Sequence, residues 1–241
     1  MNFAPQVILF DGHGTLTYST FSTLARYIWL AKKNGFKHSR EVIKQCYYEL
    51  KANYFQFLKQ KAQLKQPVIW EQDRQKWFKL EKALFKKIRI KNHYEQLSYQ
   101  ILDNYMSPKN QHIYKDVRPI LQYLKQKKYH LGVITNSDSR YRRILRFHGV
   151  DQYFDHLFIS SEIGYKKPSQ KIFNSVSQYF QLPLSQMWYI GDNYELDAKA
   201  AAEAGFQKAL WLVRNKSKLK TQKFIHSCEI ISNLEALKKL I

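Results

Sequence analysis

The chain has 241 residues and a formal net charge of +21, with 44% hydrophobic and 24% charged residues. This balance excludes a disordered chain, a collagen-like repeat and a coiled coil, and no apolar stretch approaches the ~18 residues of a membrane-spanning helix. The first residues lack a basic segment followed by a long apolar one, so we expect no secretory signal. Cys46 and Cys228 fit no metal-ligand spacing and are expected to be reduced thiols of a cytoplasmic protein.

The first predicted elements are one strand and then a block of helices. The apolar run Val7–Phe10 stops at Asp11, which is typical of a buried central strand in a parallel sheet. Residues 20–106 predict successive helices whose apolar and aromatic faces form a core. The face predicted for the second helix comprises Val42, Cys46, Leu50, Tyr54, Phe57 and Leu58. Helix breaks are expected at Asn34-Gly35, Gln66-Pro67 and Ser107-Pro108.

From Asp116 onward, short apolar strands alternate with helical periodicity. Strands are predicted at 131–134, 156–159, 187–190, 209–213 and 229–231, and helices at 117–128, 139–147, 169–180, 196–204 and from Asn233. This alternation predicts an α/β fold with a doubly wound parallel sheet. Because the helical block interrupts the series after its first strand, we expect a core domain of residues 1–16 and 116–241 and an inserted helical cap domain of residues 17–115.

Polar side chains follow four of the predicted strands. Asp11 follows the first strand, Thr135 the second, the pair Lys166-Lys167 the third and Asp192 the fourth, and Asp197 lies five residues further on. Ligands bind at the carboxyl ends of strands in open parallel sheets, so we expect these groups to converge. Such a set suits phosphoryl transfer: one carboxylate attacks phosphorus, another helps to hold Mg²⁺, and Thr and Lys stabilise charge on the phosphoryl oxygens.

Four motifs occur in order along the chain: FDGHGTLT at 10–17, VITNS at 133–137, GYKKP at 164–168 and IGDNYELD at 190–197. Together they resemble the haloacid dehalogenase-like (HAD) hydrolase superfamily, and the likeness extends over nearly the whole chain. The resemblance implies a Rossmann-like core, and the helical block is similar to the superfamily's C1-type helical cap. Residues 114–124 and 160–168 further resemble the subgroup of HAD domain-containing protein 3.

The resemblance implies a Mg²⁺-dependent phosphatase that acts on a small phosphorylated metabolite. Asp11 would be the nucleophile, which carries an aspartyl-phosphate, and also a metal ligand. The other implied metal ligands are Asp192 and the backbone carbonyl of His13. Asp197 would support the metal's water shell or position Lys167.

The resemblance also implies which residues bind the phosphoryl group. Thr135 would bind it with its side chain and Asn136 with its backbone N–H. Lys167 would neutralise the phosphoryl charge and orient Asp11. Lys166, directly before it, is the alternative lysine for this role.

His13 departs from the superfamily's pattern. Most of its phosphatases carry a second Asp at this position, which protonates the leaving group and later activates water. Three interpretations are open: His13 is the general acid/base; it is a poor acid, so that aspartyl-phosphate accumulates and activity is low; or the chain binds phosphoryl groups without turnover. The 2-haloacid dehalogenases carry Tyr there and lack the fourth motif's metal-binding carboxylate, so Asp192 argues against that activity.

The positive charge lies mostly outside the stretch 116–206, which carries three of the four motifs. Residues 17–115 hold 20 Lys and Arg against 7 Asp and Glu, and residues 207–241 hold 8 against 2. One interpretation is solubility in a lysine-rich chain. The alternative is a catalytically weak or inactive binding module, whose basic cap meets nucleic acid, an anionic surface or an acidic partner. The basic run that favours this alternative is Arg140, Arg142, Arg143 and Arg146.

Overall fold

The computed structural model describes residues 4–33, 35, 39–63, 66, 68–89, 93–215 and 228–241. Two residues at predicted helix breaks, Asn34 and Pro67, and the basic stretch 216–227 lie outside the described residues. The chain divides into two compact units, residues 1–18 with 112–241 and residues 19–111, here called the core unit and the cap unit. The domain boundaries that the sequence places after residues 16 and 115 stay a prediction.

Within the described ranges the chain forms ten strands, six of them in one parallel sheet. The sheet order is β10-β9-β8-β1-β5-β6. In chain order the strands are β1 (Val7–Phe10), β2 (Thr17–Ser19), β3 (Val68–Ile69), β4 (Gln111–Ile113), β5 (His130–Thr135), β6 (His156–Ile159), β7 (Tyr165–Lys166), β8 (Met187–Gly191), β9 (Lys208–Leu212) and β10 (Glu229–Ile231).

The helices of the described residues fall into a cap set and a core set. The cap helices are α1 (Thr23–Lys33), α2 (Arg40–Gln63), α3 (Trp70–Lys87) and α4 (Tyr94–Met106). The core helices are α5 (Val117–Gln126), α6 (Tyr141–Phe147), α7 (Ser160–Ile163), α8 (Gln170–Phe180), α9 (Ala200–Ala204) and α10 (Leu237–Leu240). None of these helices combines the length and apolarity that a bilayer span requires.

The pairing of the central strand β1 with its two neighbours determines where Asp11 leaves the sheet. β1 pairs with β5 on one side and β8 on the other, so that Phe10 lies opposite Val133 and Ile190. All four residues of β1 are fully buried, and for this reason the run is continuously apolar. Asp11 therefore leaves the sheet between the ends of β5 and β8. The predicted doubly wound α/β fold is confirmed.

The segment after β8 differs from the predicted helix over 196–204. Tyr194–Lys199 forms a π-helical turn, and only Ala200–Ala204 continues as α-helix. The turn buries Tyr194, Asp197 and Ala198 on one side. Hydrophobic periodicity predicts a helix here but does not distinguish an α-helix from a π-helical turn. The wider π-helical turn points the Asp197 side chain into the protein.

The cap unit has its own hydrophobic core, centred on Tyr27, Leu84 and Phe85. The predicted face of α2 is wrong by one position at its start, because Val42 is 38% exposed and Ile43 is buried. The buried positions of α2 are Ile43, Tyr47 and Leu50, spaced as one helix face.

Candidate active site

The predicted site residues line one pocket of about 160 Å³ at the carboxyl end of the sheet. This volume is smaller than the ~300 Å³ of the smallest typical ligand pockets and suits a group the size of a phosphate. All of its lining residues belong to the core unit. They are Asp11, His13, Thr135, Asn136, Lys167, Asp192, Asn193, Leu196 and Asp197.

The ammonium of Lys167 is the most highly connected group in the pocket. Its Nζ donates to Oδ1 of Asp11 and to Oδ1 of Asp197, both at 2.6 Å. The Tyr189 hydroxyl lies at 2.7 Å and the Ile134 carbonyl at 3.1 Å. A lysine ammonium has three N–H donors, so these four acceptors engage all of them. Lys167, and not Lys166, is thus the lysine that contacts Asp11.

Burial and neighbouring charges set the protonation of this pair. Burial raises the pKa of Asp11 to about 7, although the Lys167 ammonium opposes the rise. Burial disfavours the charged form of Lys167, but the carboxylates of Asp11 and Asp197 outweigh that effect and raise its pKa above the usual value. Lys167 therefore stays charged at neutral pH, while Asp11 is poised between its two forms.

Three carboxylates converge at the pocket floor. Asp11, Asp192 and Asp197 each offer an oxygen, and these oxygens lie within 4.8 Å of one another. Three ionised carboxylates beside the ammonium of Lys167 would leave a formal charge of −2, which is costly in a largely buried site. A divalent cation with hard-oxygen preference balances that charge, so the residues present fit Mg²⁺.

Two glycines allow the carboxylates to approach the loops around them. Gly14 has φ +94°, and a Cβ there would lie 2.3 Å from Oδ1 of Asp192. A Cβ on Gly191 would lie 2.3 Å from the Cβ of Asp197. Both separations are far below van der Waals contact, so any side chain at these positions would displace a carboxylate of the site.

Asn136 holds the segment that carries the lysine. The Lys167 backbone N–H donates to Oδ1 of Asn136 at 2.8 Å, and Nδ2 of Asn136 donates to the Lys167 carbonyl at 3.0 Å. The sequence predicts only a backbone contact for Asn136, so this side-chain clamp is an additional finding. Thr135 is buried, and its hydroxyl lies beside Gly12, where a Cβ would be 2.8 Å away.

The sequence alone assigns no role to three residues that contact the site. Tyr189 contacts Lys167, and Thr17 and Tyr141 contact each other and His13. Tyr189 lies in an apolar strand and Tyr141 in an amphipathic helix, where aromatic residues ordinarily belong to the core. Thr17 carried the clearest signal, as a polar residue directly after the buried Leu16.

Comparison with known proteins defines the family. A family model described as haloacid dehalogenase-like hydrolase matches residues 5–205. The chain therefore belongs to the haloacid dehalogenase-like hydrolases, and the resemblance stated from the four motifs is confirmed.

Individual relatives match parts of the chain. The glyceraldehyde 3-phosphate phosphatase of Methanopyrus kandleri is 31% identical over 94 residues, which are 38% of this chain and 40% of that protein. The HAD domain-containing protein 3 of Danio rerio is 25% identical over 143 residues, 59% of this chain and 58% of that protein. The chain thus spans well under two thirds of either relative's length.

A solved structure matches over the full length. The HAD-hydrolase YfnB from Bacillus subtilis, determined bound to magnesium, has a TM-score of 0.73 at 20% identity, and the match covers 99% of both chains. Because the sequence identity is only 20%, this match shows a shared fold and nothing further.

We expect Mg²⁺ affinity to rise with pH up to neutrality and then level off. Protonated Asp11 cannot ligate a cation, and its pKa is about 7, so the apparent affinity should increase roughly tenfold per pH unit below ~7. Calorimetric titration of the protein with Mg²⁺ at several pH values measures this slope. Asp11→Asn should bind more weakly and lose the slope; a flat profile for the unmodified protein would contradict the expectation.

Proposed function

We propose that the chain is a Mg²⁺-dependent phosphatase that hydrolyses a small phosphorylated metabolite through an aspartyl-phosphate on Asp11. The observation that carries the proposal is the buried Asp11–Lys167 pair, at 2.6 Å, in a phosphate-sized pocket with two further carboxylates. Membership of the hydrolase family and the phosphatase name of the Methanopyrus kandleri relative support it.

The geometry supports a distinct task for each group. Lys167 holds Oδ1 of Asp11, so we assign the attack on phosphorus to Oδ2. Lys167 offsets the negative charge that builds up beside it, and Asp197 keeps the ammonium in place. The Thr135 hydroxyl binds a phosphoryl oxygen.

Mg²⁺ fits the oxygen ligands at the pocket floor. Asp11, Asp192 and the backbone carbonyl of His13 would hold the cation, with Asp197 behind them. When bound, Mg²⁺ supplies positive charge to the phosphoryl oxygens and lowers the repulsion between substrate and carboxylates.

Each half-reaction moves one proton. Asp11 attacks phosphorus, the bond from phosphorus to the leaving oxygen breaks, and the leaving alkoxide takes a proton from His13. Water then attacks the aspartyl-phosphate, gives its proton to His13 and releases inorganic phosphate, which restores the Asp11 carboxylate. We thus assign the general acid/base role to His13, the first of the three interpretations.

We expect Asp11→Asn to abolish Mg²⁺-dependent hydrolysis of p-nitrophenyl phosphate, because an amide cannot form the aspartyl-phosphate. Asp151→Asn is a matched control, since this carboxylate contacts Arg146 at 3.5 Å outside the pocket. A screen of phosphorylated metabolites with and without Mg²⁺, run beside both variants, identifies the substrate class. Full turnover by Asp11→Asn would remove the nucleophile assignment.

We expect His13→Ala to lower kcat on alkyl phosphates by about 10²–10⁴-fold and to affect aryl phosphates little, because only the alkyl leaving group needs a proton. Steady-state kinetics on both substrate types measure the difference. If His13→Ala leaves alkyl turnover unchanged, or if His13→Asp raises it, the interpretation of His13 as a poor acid would replace ours.

One surface favours a second candidate function, a binding module for single-stranded nucleic acid. Lys44, Tyr48, Lys51 and Phe55 lie along one face of α2, where Tyr48 is 53% and Phe55 47% exposed. The Lys51 ammonium lies 5.6 Å from the centre of the Phe55 ring. Interleaved lysines and aromatic rings suit phosphates and stacked bases.

The basic run on α6 gives this second candidate little support. Two of its guanidinium groups contact neighbouring carboxylates, Arg140 with Asp138 at 2.7 Å and Arg142 with Glu162 at 2.6 Å. Groups paired in this way contribute less positive potential to the surface than the residue count suggests.

For this second function we expect a labelled single-stranded oligonucleotide to bind with an affinity that falls steeply with salt, because lysines release counterions. Fluorescence anisotropy at two salt concentrations measures the slope. Lys44→Glu with Lys51→Glu should abolish binding and leave phosphatase activity unchanged. Absence of binding at low salt would eliminate this candidate.

A further inference from the structure

We propose that Thr17 and Tyr141 are positioning residues that hold the imidazole of His13 in one orientation for proton transfer at the pocket. This inference rests on the proposed phosphatase function and deepens it, because it accounts for how a histidine can work at a position where the superfamily's phosphatases mostly carry aspartate.

One buried hydroxyl and one aromatic ring contact the imidazole, and a second hydroxyl supports the first. Oγ1 of Thr17 lies 3.3 Å from Nδ1 of His13 and 3.2 Å from the Tyr141 hydroxyl. The Tyr141 ring meets the His13 ring edge to face, with centroids 4.7 Å apart and planes at 67°. Thr17 and Tyr141 are both 0% exposed. His13 is therefore held at one nitrogen and along its ring.

The loop after Asp11 places Thr17 opposite His13. The Gly14 N–H donates to the Thr17 carbonyl at 2.6 Å, and the Thr17 N–H donates to the Gly12 carbonyl at 3.0 Å. Gly12 also leaves room for the tyrosine, because a Cβ there would lie 2.8 Å from the Tyr141 hydroxyl. The contacts of His13 with the Thr17 hydroxyl and the Tyr141 ring thus depend on the backbone of the first motif.

Imidazole needs such orientation more than a carboxylate does. A carboxylate has two equivalent oxygens, whereas the two ring nitrogens of His13 are distinct, and only the correct ring flip presents Nε2 to the leaving group. Thr17 engages Nδ1 and the Tyr141 ring packs against the imidazole, so we assign the proton transfer to Nε2.

A hydroxyl group suits the ring nitrogen that does not react. When Nε2 of His13 exchanges a proton, Nδ1 keeps its own, so the Nδ1–H donates to the Thr17 oxygen throughout, and the Thr17 hydroxyl turns its hydrogen toward the Tyr141 oxygen. The Thr17–Tyr141 pair therefore holds the neutral ring in the tautomer whose Nε2 can accept a proton.

The test compares Thr17→Val and Tyr141→Phe, which remove one hydroxyl each and keep the shape. We expect each to lower kcat on an alkyl phosphate about tenfold, with KM unchanged and turnover of p-nitrophenyl phosphate little affected. Thr17→Ser should restore the rate. Combined with His13→Ala, neither variant should lower the rate further, because all three act through one ring. Equal losses on both substrates, or additive losses, would overturn the proposal.

A second measurement separates this proposal from the proposed function. The imidazole ¹⁵N resonances of His13, identified by their loss in His13→Ala, should shift toward mixed tautomers in Thr17→Val and Tyr141→Phe. The control Tyr179→Phe, which removes an exposed hydroxyl bonded to the Asp155 carbonyl, should not move them. Unmoved resonances in both variants overturn the positioning role. If the unmodified protein is inactive on every phosphate but the resonances shift in both variants, the phosphatase function is overturned and the positioning role is not.

Discussion

The buried Lys167 ammonium is the interaction on which the site depends. A lysine that is 3% exposed keeps its charge only if acceptors surround it, and here they come from different parts of the sheet edge. Asp11 follows β1, Ile134 lies in β5, Tyr189 lies in β8, and Asp197 lies in the π-helical turn. The ammonium therefore ties together the strand ends that form the pocket, and it offsets the repulsion between the two carboxylates that it joins.

The same cluster has more negative than positive charge. Asp11, Asp192 and Asp197 bring three carboxyl groups to one place where Lys167 supplies a single positive charge. The raised pKa of Asp11, about 7, reflects this strain, since burial among negative charges favours the protonated acid. A divalent cation or a protonated Asp11 would offset the excess negative charge, so we expect cation binding to release the proton of Asp11.

The sequence predicts the sheet well because the strands bury both faces. A short, continuous apolar run such as Val7–Phe10 is typical of a strand buried in this way, and the residue after each run is then at the sheet edge. The sequence does not predict features that depend on a single position, such as which of two neighbouring apolar residues is buried. Val42 and Ile43 are neighbours of similar hydrophobicity, and only packing selects which one is buried.

Within the site, local motifs predict residues but not their long-range partners. Asp11 and Lys167 each carry a recognisable neighbourhood, whereas the contact between Thr17 and Tyr141 joins residues 124 positions apart. No periodicity links such a pair, and an aromatic residue in an amphipathic helix is ordinarily part of the core. The side-chain clamp of Asn136 is likewise visible only once the chain is folded.

The surroundings of His13 support the proposed hydrolytic role over a site that only binds phosphoryl groups. Holding several carboxylates and an ammonium in a buried pocket costs stability, and a chain without catalytic use for them would gain stability by replacing them. His13 also lies among groups that match its ring: Tyr141, for which Gly12 leaves space, contacts the ring edge to face, and Thr17 meets Nδ1. A histidine placed by chance at an aspartate position would have no need of partners with the shape and hydrogen-bonding capacity of an imidazole.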